Sequence, residues 1–199
     1  MSSARRKPAR YDELLNVPDY LVAEIVGGEL VTNPRPASPH AFAAVGIARA
    51  LDDFHAPPGD PTRRGGWWIL MEPELHLEDD VLVPDLAGWR HQRMPSVPNV
   101  AAFDLAPDWA CEVVSPSTAR LDRARKMQIY ARAHVARLWL VEPLARTIEV
   151  YRLEADRWIV ASTHGGSEPF RAEPFEQSEL DPGRWWLGPE SASIAASPR

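Results

Sequence analysis

The sequence predicts an α/β fold in which a mixed central sheet is flanked by helices. Two features of the chain support this prediction. Short strand patterns joined by tight turns come first, beginning with an antiparallel hairpin near the N-terminus. A strand–helix–strand unit then spans residues 109–141, where a right-handed crossover is expected. A chain with both kinds of connection is expected to form a mixed sheet with helices packed on it.

The strands are predicted from short apolar runs that stand between turn residues. The N-terminal hairpin is the clearest case, because Gly27 and Gly28 separate two apolar runs and glycine tolerates the positive φ of a tight turn. Pro84 interrupts a later run and marks a sheet edge or a bend. The predicted strands lie within residues 20–32, 67–77, 78–90, 109–115, 136–143, 147–162 and 168–173.

Three helices are predicted from capping residues and from apolar residues at helical spacing. In the second helix Ser38 is the expected N-cap and Pro39 fits the first turn. The third helix has the strongest pattern in the chain, and Ser117 or Thr118 can cap it. The predicted helices cover residues 10–15, 38–55 and 117–134.

The 199 residues suit one domain, expected over residues 10–188, with a flexible stretch at 1–9 and a disordered tail at 189–199.

The net charge of −6 argues against a protein that coats nucleic acid without sequence preference, because basic surface supplies that affinity. The single cysteine, Cys111, excludes a disulfide within the chain. No signal peptide and no membrane-spanning apolar run can be recognised, so a cytoplasmic protein is expected.

Three acidic residues stand in apolar strand patterns, namely Glu24, Asp85 and Glu112. An unpaired charge in such a strand is costly, or else the pKa of its carboxyl group rises. Three of them in one small domain therefore need a common explanation. Side chains alternate along a strand, so Asp85 and Glu112 can converge if their faces of the sheet coincide.

The third helix offers a polar face to these acids. Asp122, Lys126 and Tyr130 are spaced i, i+4 and i+8, which puts them on one side of the helix. A compact strand–turn–helix could fold that side back beside Glu112. Converging carboxylates suit a hard divalent ion such as Mg²⁺ or Mn²⁺, which acidifies a bound water, and a nearby ammonium can position that water.

Each of these residues also has a more common role. A strand carboxylate is more often an ion-pair or hydrogen-bond partner than a metal ligand. Taken alone, Lys126 is a solvated helix charge with Asp122 as its partner, and Tyr130 is a residue at the edge of the core. His40, near a helix start, is more often a capping or surface residue than a ligand. The chain has no CxxC and no HExxH, so no zinc site is predicted.

Two stretches, "VPDLAGW" and "PDWACEVVSPSTARLDRARKMQIYARAHVARLWLVEP", resemble the Uma2 family of restriction endonuclease-like proteins. The likeness extends over about residues 10–153 and rests on the motifs Pro-Asp, Glu-Val-x-Ser-Pro-Ser and Asp-x-x-x-Lys-x-x-x-Tyr. The family is placed in the PD-(D/E)XK nuclease superfamily. The resemblance therefore implies a restriction-endonuclease-like mixed sheet and a divalent-metal centre that cleaves phosphodiesters.

The resemblance also implies roles for individual residues. Asp85 matches the first metal ligand and Glu112 the second, with Glu24 as an N-terminal acid that binds the metal directly or through water. The lysine of the superfamily normally stands two positions after the second acid, where this chain has Val114. In the Uma2 pattern the lysine has moved to the helix, which makes Lys126 the residue that orients the attacking water.

Three further residues matter in this comparison. Tyr130 is expected to support Lys126 or a phosphate, and His40 matches the family's helix-start histidine. His134 replaces the family's usual glycine at a helix C-terminus, where glycine normally supplies the left-handed turn.

The implied function is a Mg²⁺- or Mn²⁺-dependent endonuclease that hydrolyses DNA, with a homodimer expected from the family alone. The alternative is a nuclease-fold binding or regulatory module without turnover, which the net charge of −6 favours.

Overall fold

The computed structural model describes residues 7–116 and 118–188 of the chain. Ser117, one of the two expected helix caps, lies outside the described residues, as do the predicted tail at 189–199 and residues 1–6 of the predicted flexible stretch. The strands are β1 (Leu21–Val26), β2 (Glu29–Pro34), β3 (Trp67–Met71), β4 (Glu74–Leu77), β5 (Asp80–Leu82), β6 (Leu86–Arg90), β7 (Ala102–Phe103), β8 (Trp109–Val113), β9 (Arg137–Glu142), β10 (Thr147–Glu154) and β11 (Arg157–Gly165). The helices are α1 (Tyr11–Leu15), α2 (Ser38–Ala50), α3 (Ala119–Leu121) and α4 (Met127–Arg132).

The strands form two sheets, each of them mixed. The first has five strands in the order β2-β1-β5-β4-β7, and its only parallel pair among the described residues is β4 with β7. The second has six strands in the order β11-β10-β9-β8-β6-β3, with β8 and β9 as the parallel pair. The predicted mixed α/β class, the N-terminal hairpin and the strand–helix–strand unit are confirmed, and the strands are divided between two sheets.

Several local predictions were wrong. Ser38 is the first helical residue of α2 and Ala37 takes the cap position, so no side-chain cap is formed; the helix ends at Ala50. The predicted strand at 168–173 forms only a single bridge, from Phe170 to Leu180. The strand predicted within 78–90 is split into β5 and β6, which belong to different sheets; the bend expected at Pro84 is confirmed, since Pro84 lies between the two strands.

The helix C-terminus at His134 keeps the geometry that glycine would supply. His134 has a φ of 55°, in the left-handed region, although it carries a side chain. Its amide donates to the carbonyl of Ala131, and the amide of Val135 donates to the carbonyl of Tyr130. His134 itself therefore adopts the left-handed conformation at the helix end, and strand β9 begins three residues later at Arg137.

The six-stranded sheet carries a separate apolar core on each face. On one face, α2 and the segment 170–186 pack around an aromatic cluster that includes Trp109, Trp139 and Phe175. The other face packs against α4 and the five-stranded sheet. Aromatic side chains bury roughly 150–250 Å² each, so the aromatic cluster is the main apolar anchor of α2.

Gly46 in α2 is required by the close approach of the C-terminal segment. A Cβ added at Gly46 would lie 2.9 Å from Cδ1 and 3.0 Å from Cα of Trp185, and 3.1 Å from the carbonyl oxygen of Arg184. Helix propensity alone predicts that Gly46→Ala stabilises the protein by about 1 kcal/mol. Because two of the obstructing atoms belong to the backbone, we expect instead a loss of about 1–3 kcal/mol in denaturant unfolding. A gain in stability would contradict this packing, and Val45→Ala, at an exposed neighbour, serves as the control.

Candidate active site

Glu112 points away from the aromatic core because of its place in β8. Side chains alternate along this strand, so Trp109, Cys111 and Val113 pack in the core beneath α2. Ala110 packs on the opposite face, against α4 and the five-stranded sheet. Glu112 lies on this second face, where it is 3% exposed. Cys111 is therefore a core residue.

A pocket of about 190 Å³ lies where the two sheets and the helix after β8 meet. Six of the seven predicted site residues line it. Glu24 comes from β1, Glu112 from β8, and Asp85 from the bend between β5 and β6. The six are Glu24, His40, Asp85, Glu112, Asp122 and Lys126.

The ammonium of Lys126 is the centre of the cluster. Its Nζ lies 2.8 Å from Oε1 of Glu24, 3.2 Å from Oε2 of Glu112 and 3.6 Å from Oδ1 of Asp122. Lys126 is only 4% exposed, and burial by itself would lower the pKa of its amine. The three carboxylates outweigh burial and raise the pKa of Lys126 above its ordinary value, so the amine keeps its proton.

Glu112 receives a second hydrogen bond from the helix. The hydroxyl of Tyr130 donates to Oε1 of Glu112 at 2.6 Å. Burial raises the pKa of Glu112 well above its usual range; Lys126 opposes that rise, and the neighbouring carboxylates add to it. Burial also raises the pKa of Tyr130, with Glu112 as the next cause, so the phenol stays protonated and remains a donor.

Backbone amides and one histidine hold the other two acids. Oδ2 of Asp85 accepts from the amide of Val113 at 2.7 Å, and Oδ1 is bonded to Nε2 of His40. Oε1 of Glu24 accepts from the amide of Val83 at 2.8 Å. Asp85 thus lies beside β8, one residue along from Glu112, but not by strand alternation as predicted. It lies outside any strand and reaches β8 from the bend after Pro84.

The helix that carries Asp122 and Lys126 is not a plain α-helix. A π-helical turn (Asp122–Lys126) joins α3 to α4, and the amide of Met127 donates to the carbonyl of Asp122, five residues earlier. The predicted common side of Asp122, Lys126 and Tyr130 is observed, since all three reach the cluster around Glu112. No residue in this stretch signals the π turn.

Other pocket residues had no signal in the sequence, or only a weak one. Arg35 lies in a proline-rich loop without periodicity, and its guanidinium donates to the carbonyl of Asp19 and lies 4.0 Å from Glu72. The Thr118 side chain, expected only as a cap, bonds to Asp122. Ser115 is a polar pocket residue that stands two positions after the buried strand β8, and this position is the one signal of its role that the sequence offers.

The acidic residues of the pocket bear on whether it could hold a metal ion. Among residues 7–116 and 118–188, no group of three or more His, Cys, Asp or Glu side chains is arranged to hold a metal ion. Mg²⁺, however, is usually held by one or two carboxylates, with water and substrate phosphates as the other ligands. Asp85 and Glu112 both line the pocket and carry carboxylate oxygens, the kind of ligand that such an ion takes from a protein.

A family model described as "Uma2: Putative restriction endonuclease" matches residues 8–183. No curated protein matches the chain. Among solved structures, the chain resembles a "putative nuclease belonging to DUF820 from Anabaena variabilis ATCC 29413" with 21% identity and a TM-score of 0.71. That alignment covers 90% of this chain and 100% of the other, and at this identity it shows a shared fold. Among residues 7–116 and 118–188, none of the helices has the length and hydrophobicity of a membrane-spanning segment.

Proposed function

Because the chain belongs to the Uma2 family of restriction endonuclease-like proteins, we propose that it is a metal-dependent nuclease that hydrolyses phosphodiester bonds in DNA. The observation that supports this proposal most strongly is the charge of the pocket. Five carboxylates line it, against the cations Arg35 and Lys126. Such an excess of negative charge repels a phosphate and attracts a divalent cation, so an anionic substrate needs the cation as its partner.

In this proposal Asp85 and Glu112 hold the metal, with Glu24 joining directly or through water. A bound Mg²⁺ or Mn²⁺ would supply an acidified water and neutralise phosphoryl charge. The remaining groups fix these ligands. His40 and the amide of Val113 orient Asp85, and Tyr130 orients Glu112.

Lys126 is proposed to orient the attacking water. Its raised pKa keeps the proton on the amine, so Lys126 acts as a hydrogen-bond donor and not as the general base. An ammonium has three donors, and the contact with Asp122 at 3.6 Å is the longest of the three carboxylate contacts. The N–H of Lys126 that faces Asp122 is therefore the one most readily available for a hydrogen bond to a water or a phosphate oxygen.

A nuclease-fold binding or regulatory module without turnover is the second candidate. The contacts of Lys126 favour it, because all three carboxylates around the ammonium compete with a substrate for its donors. The net charge of −6 favours it too, since it weakens attraction to DNA. The expected homodimer and cytoplasmic location stay predictions.

Incubation with supercoiled plasmid DNA separates the two candidates. We expect nicked or linear DNA with Mg²⁺ or Mn²⁺ and none when a chelator removes the metal. Retarded migration of the DNA without any cleavage at either metal would favour the binding module. Glu168→Gln, at an exposed residue that does not line the pocket, is the control that must leave cleavage unchanged.

A further inference from the structure

Two arginines of the π turn point away from the pocket that Lys126 enters. Arg123 and Arg125 both belong to the π turn, but neither lines the pocket, whereas Asp122 and Lys126 do. Each arginine is about one-third exposed and is held by acceptors on a different sheet. The turn that carries Lys126 is therefore held from two sides.

Arg125 ties the turn to the five-stranded sheet. Its Nη1 donates to Oε2 of Glu29 at 2.8 Å, and its Nη2 donates to the carbonyl oxygen of Val26. Both acceptors stand at the hairpin turn between β1 and β2. The approach is close enough that a Cβ added at Gly27 would lie 3.1 Å from Nη2 of Arg125. The same strand β1 carries Glu24, whose carboxylate contacts Lys126.

Arg123 ties the turn to the six-stranded sheet. Its Nη1 donates to Oε2 of Glu149 in β10, and its Nη2 lies 3.5 Å from Oε2 of Glu142 in β9. The indole of Trp158 in β11 adds a hydrogen bond of 2.7 Å to the carbonyl of Met127, directly after the turn. This sheet also carries Glu112, the second carboxylate beside Lys126.

The π turn brings the directions of Asp122 and Lys126 closer together than a regular α-helix would. In an α-helix with 3.6 residues per turn, residues four apart are offset by about 40°, and two such steps give about 80°. A turn closed by an i→i+5 hydrogen bond holds more residues and reduces the first offset. Asp122, Lys126 and Tyr130 therefore stay on one side, while Arg123 and Arg125 reach opposite flanks.

We propose that Arg123 and Arg125 are positioning residues that set the place of the Lys126 ammonium between Glu24 and Glu112. This inference rests on the proposed nuclease function. Each arginine fixes the π turn relative to the sheet that supplies one of these carboxylates. Loss of either anchor lets the turn relax, and the donor of Lys126 moves away from the position in which it orients water.

Kinetics of cleavage test this role. We expect Arg123→Gln and Arg125→Gln to lower kcat by about 10- to 100-fold, the loss typical of groups that orient a metal site from outside, with KM changed less than about twofold. Arg125→Lys should restore part of kcat, since an amine reaches one of the two acceptors. Arg49→Gln, at an exposed arginine of α2, is the control. A raised KM with unchanged kcat would mean direct phosphate binding and would overturn the proposal.

An NMR measurement of the Lys126 ammonium tests the positioning role without depending on DNA cleavage. The chain has twenty arginines but only two lysines, Lys7 and Lys126. In a Lys7→Arg background, ¹⁵N-lysine labelling therefore leaves one side-chain ammonium resonance. We expect this resonance to shift and to exchange faster with water in Arg125→Gln, but not in Arg49→Gln. An unchanged resonance in a folded Arg125→Gln protein overturns the inference, and this holds even if the parent protein cleaves no DNA.

Discussion

Lys126→Met is expected to lower the free energy of unfolding by about 3–5 kcal/mol at neutral pH, because it leaves buried carboxylates without their cation. Glu24, Glu112 and Asp122 all lie within 4 Å of the Lys126 ammonium, and each is at most 3% exposed. The methionine side chain fills the same space, so the loss measures charge and not volume. Denaturant unfolding followed by tryptophan fluorescence provides the value.

The pH dependence of this loss of stability gives a second test of the buried charge cluster around Lys126. Burial raises the pKa values of Glu112 and Asp122, and Lys126 opposes that rise, so without Lys126 both pKa values rise further above their unfolded values and the folded variant binds more protons than the unfolded chain. Its stability should therefore fall as pH rises from about 4.5 to 7, and the deficit against the parent should shrink at acid pH. Lys7→Met, at the exposed second lysine, should change stability by less than about 0.5 kcal/mol. Equal unfolding midpoints for Lys126→Met and the parent would contradict the buried cluster.

Glu112→Gln is expected to abolish metal-dependent cleavage while leaving the fold intact. Removal of one charged metal ligand should cost roughly 4 kcal/mol of transition-state stabilisation, which is about a thousandfold in rate. The amide is nearly isosteric, and its oxygen can still accept from the hydroxyl of Tyr130. Lys126 keeps Glu24 and Asp122 as partners, so we expect stability within about 1 kcal/mol of the parent.

Two assays on the same preparations check this expectation. Plasmid cleavage gives the rate, and denaturant unfolding shows whether the fold is kept. Glu168→Gln carries the same chemical change at an exposed site and should cleave at the parental rate. If Glu112→Gln cleaves as fast as Glu168→Gln, Glu112 has no part in the reaction and the assignment of the site is wrong.

The sequence predicted the members of the cluster better than the way they meet. Acidic residues in apolar strands are conspicuous, and residues at i, i+4 and i+8 share a helix side whatever lies opposite. Glu24, Glu112 and Lys126 could therefore be recognised one by one. Their meeting depends on two sheets that approach each other, and pairing between distant strands such as β1 and β5 leaves no local mark on the sequence.

Other features of the site could not be predicted from the sequence, for different reasons. His40 looked like a surface residue because its partner, Asp85, is 45 positions away. The composition of the π turn does not distinguish it from an α-helix, since its five residues are ordinary helix formers with one Asp.

The low number of lysines is a signal that the composition did offer. When arginine supplies twenty of the 22 basic residues, a lysine inside the strongest helix indicates a position where a compact ammonium is needed.

The central claim is that Asp85 and Glu112 form a divalent-metal centre, and a crystal soaked in Mn²⁺ tests it most directly. Manganese gives an anomalous signal that locates the ion without reference to any assumed geometry. We predict a single strong peak in the pocket, with carboxylate oxygens of both Asp85 and Glu112 within about 2.5 Å. The peak should be lost in Glu112→Gln. A pocket without a peak, or a peak bound by neither residue, would contradict the claim.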